Sequence, residues 1–178
     1  MNILLTGGVG GGKTTVCRKI LSRLEQNSVK CGGVLGDNFT QDGVKSGIDA
    51  LNIKSKKTSP LARLKKNSTV RGFDTQKYRI SADGIEFVAK ALEDALECDV
   101  IFVDEVGPLE MKKQGVINAL EKVMEYGANK VVVARRKYVS KILKMFPDKG
   151  FMVFDVSKKN RDTLPEEITK LIENEVSR

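Results

Sequence analysis

The sequence predicts an α/β fold of three layers: a mainly parallel central sheet covered by helices on both faces, with some added antiparallel strands. Short apolar runs such as Val100 to Val103 and Val131 to Ala134 end in charged residues, as buried strands do. Between such runs lie stretches whose apolar residues recur at helical spacing. A glycine-rich turn joins the first run to the first of these stretches. With 178 residues and 40% hydrophobic side chains, residues 1–178 have the size of one domain with a continuous core.

In chain order, Asn2 to Thr6 reads as a strand, followed by the glycine turn and a helix from Lys13 to about Gln26. Val16, Cys17, Ile20, Leu21 and Leu24 share one face of that helix. Lys30 to Gly36 reads as a second strand. The region Asp37 to Asp83 is rich in Gly, Lys, Ser and Thr, and alternation in Ser46 to Ile53 and Tyr78 to Ile80 predicts short strands joined by a basic connection. From Ile85 the period turns helical through Leu96, and Asp99 introduces the strand Val100 to Asp104. A helix from about Gln114 to Tyr126 follows, with Gly127 where a C-terminal cap belongs. The strand Lys130 to Ala134, a short helix over Val139 to Phe146 and the strand Phe151 to Val156 come next. Thr163 to Glu166 reads as a capping box that opens the last helix.

Composition removes several classes of chemistry. Cys17, Cys31 and Cys98 are odd in number and far apart, and the chain has no His, which argues against a zinc site and for small buried thiols. Acid and base chemistry must therefore fall to carboxylates. No apolar run is long enough to span a bilayer, and Met1 to Gly8 lacks a basic leader, so a cytoplasmic protein without a secretory signal is expected. The net charge of +8 is carried by scattered clusters such as Lys54-Ser-Lys-Lys57 and Arg63-Leu-Lys-Lys66. These are not interleaved with aromatic residues, so a lysine-rich solvated surface is the expectation and nucleic acid is not indicated.

Gly7-x-x-x-x-Gly12-Lys13-Thr14 matches the phosphate-binding loop in full and lies between a predicted strand and a predicted helix. Backbone N–H groups of Gly8, Val9, Gly10, Gly11 and Gly12 can turn inward around a β-phosphate, and the helix N-terminus adds its own. Lys13 would reach the β- and γ-phosphates, Thr14 would ligate Mg²⁺ and Thr15 would touch the α-phosphate. Asp104 ends a parallel strand, where it can hold Mg²⁺ through water. Glu105 is then the candidate to orient and deprotonate an attacking water. The turn Gly107-Pro108 reads either as aiming Glu105 at the site or as a plain strand exit. Glu110 reads as a solvated helix-start residue or as a carboxylate supporting the site. Arg135 and Arg136 follow the strand next to the acidic one, either as a γ-phosphate sensor or as a surface pair. Arg71 and Arg79 are weaker candidates of the same kind. Asn160 and Arg161 border the base or cap the last helix.

Thr6-Gly-Gly-Val-Gly-Gly-Gly-Lys-Thr-Thr15 and Val103-Asp-Glu-Val-Gly-Pro-Leu-Glu110 resemble the THEP-type nucleoside-triphosphatase family. Gly43 to Leu51, the Tyr78-Arg79-Ile80 strand and Asn160-Arg161-Asp162 extend the resemblance over most of the chain. It implies a P-loop NTPase fold similar to the RecA-like ATPase core. It also implies slow hydrolysis of ATP, GTP and other nucleoside triphosphates, with little base preference. Gly8 to Thr15 and Ile101, Phe102, Val103, Asp104, Glu105, Val106, Gly107 and Pro108 would then be the nucleotide-contacting segments. The chain departs from the family at Val9, where Pro is frequent, and at Gly11, where a bulkier residue is frequent, so a looser loop is expected.

Two other functions share these motifs. A nucleotide or small-molecule kinase would need an arginine-rich lid, and Lys54 to Lys66 holds only Arg63. A nucleic-acid-linked ATPase module would use the basic segments. A regulatory GTPase is disfavoured, because no Asn-Lys-x-Asp element occurs. Of the oligomeric states, the monomer is favoured.

Overall fold

A computed structural model describes residues 1–177, apart from the side chains of Asn67 and Glu105. The chain opens with β1 (Asn2–Gly7), α1 (Lys13–Gln26) and β2 (Cys31–Gln41). It continues through β3 (Val44–Asn52), β4 (Thr58–Leu64), β5 (Gly72–Asp74), β6 (Tyr78–Ser81) and α2 (Ala82–Glu93). Then follow β7 (Val100–Val106), α3 (Ile117–Glu125), β8 (Asn129–Ala134), α4 (Val139–Met145), β9 (Phe151–Val156) and α5 (Leu164–Val176).

One sheet runs in the order β5-β6-β4-β3-β2-β7-β8-β1-β9. The half from β2 to β9 is parallel throughout, with Cys31 to Val34 beside Val100 to Val103 and Ile3 beside both Val131 and Met152. The half from β5 to β2 is antiparallel. Apolar residues of one strand feed two cores by the period of two that every strand imposes. Leu4 packs with α2 and α3 residues such as Leu92 and Leu120, whereas Ile3 and Leu5 pack with Ile20 and Leu24 of α1 and Ile168 of α5. This makes the three layers. Of the described residues, none belongs to a helix long and apolar enough to cross a membrane.

Several sequence expectations are corrected. The second strand continues to Gln41 and folds back as β3, with a shift in register between Phe39 and Thr40. Thr58–Leu64 is a strand where a basic connection was expected. Pro60 disguises it; Asp49 faces Pro60 and Ile48 faces Ala62, so a bulge absorbs the residue between them. A bulge is where a residue without an N–H is tolerated inside a sheet. The helix α3 begins at Ile117, three residues later than expected, and Gly127 does not adopt the left-handed cap; Tyr126 leaves the helix extended instead. Thr163 makes no side-chain cap bond, because its hydroxyl donates to the Asn160 carbonyl at 3.1 Å. The helix α2 is capped by Ser81, whose Oγ accepts the Gly84 N–H at 3.0 Å.

Candidate functional site

The glycine-rich turn lies at the carboxyl end of β1 and seats on the end of β9. A Cβ added at Gly7 would stand 2.7 Å from the Val156 carbonyl oxygen, and one at Gly11 would stand 3.1 Å from that of Gly8. The turn closes on itself where Gly11 N–H donates to the Gly8 carbonyl at 3.2 Å. Gly12 adopts φ 96°, the left-handed region that favours glycine, and from there starts α1 with no side-chain cap and no acid in the first turn. An N-terminus of this kind carries partial positive charge and N–H groups aimed outward, the requirement for an anion site. Lys13 folds back over the turn, its Nζ donating to Gly8 O at 2.8 Å and Gly7 O at 3.4 Å. Val9 is 83% exposed at the tip.

One contact joins this turn to the second motif. The Thr14 hydroxyl donates to Asp104 Oδ2 at 3.0 Å across 90 residues of chain. The same oxygen accepts the Gly36 N–H at 3.1 Å. Nothing in the sequence around Gly36 signals this, since only the pairing of β2 with β7 brings it there. Beneath the site, Cys17 is fully buried. Burial, and after it the Asp104 carboxylate, pushes the Cys17 thiol well above its ordinary range, while Lys13 pulls the other way. All three cysteines are free; Cys17 and Cys98 are buried as expected, whereas Cys31, at the start of β2, is only half-buried.

Ile101, Phe102 and Val103 have at most 1% of their surface exposed, and Val106 has 2%. Their side chains lie in the two cores, so within Ile101 to Pro108 surface is offered by Asp104, which is half-buried, and by Pro108, which is exposed. Glu105 belongs to β7, but its side chain, and with it the expectation that it faces the site, lies outside the described residues. The Gly107-Pro108 turn is held from within. Glu110, expected in solvent, is 6% exposed; its Oε2 accepts the Gly107 N–H at 2.9 Å and its Oε1 the Val116 N–H at 3.3 Å. These two acceptor oxygens tie the exit of β7 to the start of α3, and their hydrogen bonds offset the cost of taking the polar side chain out of water.

The basic candidates separate. Arg135 is exposed just past the end of β8, at the same edge of the parallel sheet as the glycine turn. Arg136 forms a two-pronged pair with Asp155, the neighbour of Thr6 across β1 and β9, at 2.9 and 2.8 Å from its Nη2. Arg161 lies against the turn, its Cδ 3.6 Å from where a Gly12 Cβ would be. Asn160 shapes its own loop: Oδ1 accepts from Ser157 N–H at 2.8 Å and Nδ2 donates to Asp155 O at 3.0 Å. Next to it, Asp162 pairs with Lys19 of α1 at 2.8 Å. Arg71 and Arg79 are not at the site. Arg71, just before β5, pairs with Asp83 of α2, and Arg79 of β6 pairs with Asp74; β6 is separated from β1 by β4, β3, β2, β7 and β8, a distance of roughly 29 Å at sheet spacing.

Comparison with known proteins adds the family. A family model described as NTPase matches residues 2–169. The nucleoside-triphosphatase THEP1 of Methanosarcina acetivorans is 33% identical over 171 residues, which cover 95% of each chain. That of Methanosarcina barkeri is 30% identical over 170 residues, covering 94% of this chain and 95% of the relative. The crystal structure of THEP1 from the hyperthermophile Aquifex aeolicus superposes with a TM-score of 0.79 at 23% identity, over 97% of this chain and 99% of that one. The solution structure of a human cancer-related nucleoside triphosphatase gives 0.78 at 23% identity, over 97% of both chains. At that identity the two structures speak for the fold, while the family model and the archaeal relatives cover nearly the whole chain; the chain belongs to the NTPase family, in its THEP1 branch.

Proposed function

We propose that this chain hydrolyses nucleoside triphosphates to the diphosphate and phosphate with Mg²⁺, slowly and with little preference for the base. The observation that carries the reading is the Thr14 to Asp104 contact of 3.0 Å, which fixes a hydroxyl and a carboxylate together at the head of an uncapped helix. Oxygen donors of this sort suit Mg²⁺, which takes one or two protein oxygens and completes its shell with phosphate and water. Thr14 and Asp104 would hold the ion, which would supply charge neutralisation to the phosphates.

The residues of the chain have separate tasks. Gly8 to Thr15 receive the phosphates on backbone N–H groups, and Lys13 leaves the carbonyls of Gly7 and Gly8 for the phosphate oxygens. Thr14 and Asp104 orient the cation. Glu105 takes the proton of the attacking water, a task no His can perform here because the chain has none. Arg135 offsets charge on the transferred group. The nucleoside lies beyond Thr15, toward Arg18, Lys19, Arg161 and Asp162, long charged side chains that offer no fixed donor pattern to one base.

Phosphate release from ATP, GTP, CTP and UTP, each with Mg²⁺, tests the proposal. Comparable release from all four is expected. A single active triphosphate would refute the broad specificity. Transfer to an added nucleoside or monophosphate faster than release would make the chain a kinase.

A further inference from the structure

The positive charge of the chain is concentrated. Residues 44–81 hold ten Lys and Arg against two Asp, a net +8 that equals the charge of the whole chain and leaves the other 140 residues neutral overall. These residues form the antiparallel extension β3 to β6.

Strand direction sorts the charges between two edges. The strand β2 is parallel to β7 and runs toward the edge that carries the glycine turn; β3 returns, β4 runs out again and β6 returns. The start of β3, the end of β4 and the turn before β6 therefore meet at that edge. Lys45, Arg63, Lys65, Lys66, Lys77 and Arg79 all lie there, and the Lys65 N–H donates to the Lys77 carbonyl at 3.4 Å, which joins the two far ends. Asp49 and Asp74 are the acids of the extension, and they face Arg63, Arg79 and, at 4.0 Å, Lys65. Lys45, Lys66 and Lys77 are exposed and have no carboxylate partner among the described residues.

Folding also interleaves aromatic rings with these cations, contrary to the expectation from sequence order. The Arg63 guanidinium lies 3.9 Å over the Phe39 ring, and the Lys77 ammonium 5.4 Å from that of Tyr78. Residues 24 apart in sequence become one stack because Phe39 and Arg63 both stand opposite Gly47.

We propose that this edge binds single-stranded nucleic acid, with Lys45, Lys66 and Lys77 on the phosphates and bases laid against the Phe39–Arg63 stack; Tyr78, whose neighbour Arg79 stands opposite Arg63, lies on the other face of the sheet. A row of unneutralised cations supplies the phosphate attraction, and flat side chains supply a sequence-tolerant platform that a duplex, with its bases already stacked, cannot use. None of Lys45, Lys66 and Lys77 belongs to the phosphate site, so the inference does not rest on hydrolysis.

The test is fluorescence anisotropy with a labelled single-stranded 20-mer of uridine at 50 to 200 mM salt. Contact of the three lysines with phosphates makes affinity fall about 20-fold over that range. The triple variant Lys45→Glu, Lys66→Glu, Lys77→Glu changes only exposed side chains; it is expected to lose at least tenfold in affinity while its phosphate release stays at the parent rate. Absence of binding at 50 mM salt would overturn the proposal, as would unchanged binding by the triple variant. Equal affinity for a duplex of the same length would overturn the single-strand assignment. Binding to vesicles of phosphatidylserine and phosphatidylcholine that the oligonucleotide does not displace would move the surface to membranes and overturn it as well.

Discussion

Replacing Glu110 by Ala tests how the site is held. The carboxylate accepts the N–H groups of Gly107 and Val116, and both donors belong to the backbone, so no mutation can remove them along with the acceptor. Each donor left without a partner in a buried place costs about 1–3 kcal/mol. Gly107 is buried and takes the upper part of that range, while Val116 is half-buried and takes the lower. Relief of the buried charge offsets part of the loss. A net cost of about 3 kcal/mol follows, a large share of the 5–15 kcal/mol of a domain. For a chain of this size the unfolding midpoint then falls by about 6–12 °C. Glu110→Gln keeps one acceptor for Gly107 but turns an amide NH2 toward Val116, so about half the shift is expected. Differential scanning fluorimetry of the three proteins reads it directly. A midpoint for Glu110→Ala within about 1 °C of the parent would refute the reasoning that Glu110 holds the exit of β7.

Arg135→Ala should lower the rate of phosphate release by tenfold or more with KM little changed, whereas Arg136→Ala, whose guanidinium is already engaged by Asp155, should stay within about twofold of the parent. Equal losses in the two variants would contradict the separation. Gly33→Ala should unfold the protein or cost more than about 4 kcal/mol in a denaturant titration, since φ is 94° and the new Cβ would meet the Phe102 carbonyl oxygen at 2.1 Å. A change below about 1 kcal/mol would show that β2 and β7 are not paired this way. Burial pushes the Cys31 thiol up to about 12 and raises those of Cys17 and Cys98, so a disulfide reagent at pH 8 should titrate none of the three within minutes and all three after unfolding. One thiol reacting at once in the native protein would contradict that burial.

The parallel half of the sheet was legible because its strands are apolar on both faces and the intervening helices show a clean period, so local pattern and global position agree. The phosphate loop was legible for a different reason: all its parts are contiguous, and it sits between its strand and its helix. The antiparallel half was half-visible. Ser46 to Ile53 and Tyr78 to Ile80 showed their alternation, but β4 hid behind Pro60, whose bulge is decided by its partner Asp49. Glu110 stayed open between solvent and a supporting role because a carboxylate belongs in water unless two backbone donors converge on it, and those donors come from either side of a turn. Gly36 and Asp155 carried no signal, since a backbone N–H or a single acid acquires a role only when pairing of distant strands brings Asp104 or Arg136 beside it. The concentration of charge in residues 44–81 was countable in the sequence, yet its sorting to one edge and its meeting with Phe39 needed the register of β2, β3, β4 and β6.

The central claim is that Thr14, Asp104 and Glu105 form one triphosphate-hydrolysing centre on the glycine turn. Single-turnover phosphate release from Mg²⁺-ATP, with bound nucleotide measured in the same samples, tests it in the parent, Lys13→Ala and Glu105→Gln. The account predicts release by the parent, loss of binding or turnover in Lys13→Ala, and retained nucleotide with at least a hundredfold slower release in Glu105→Gln. Release by Glu105→Gln at the parent rate would contradict it.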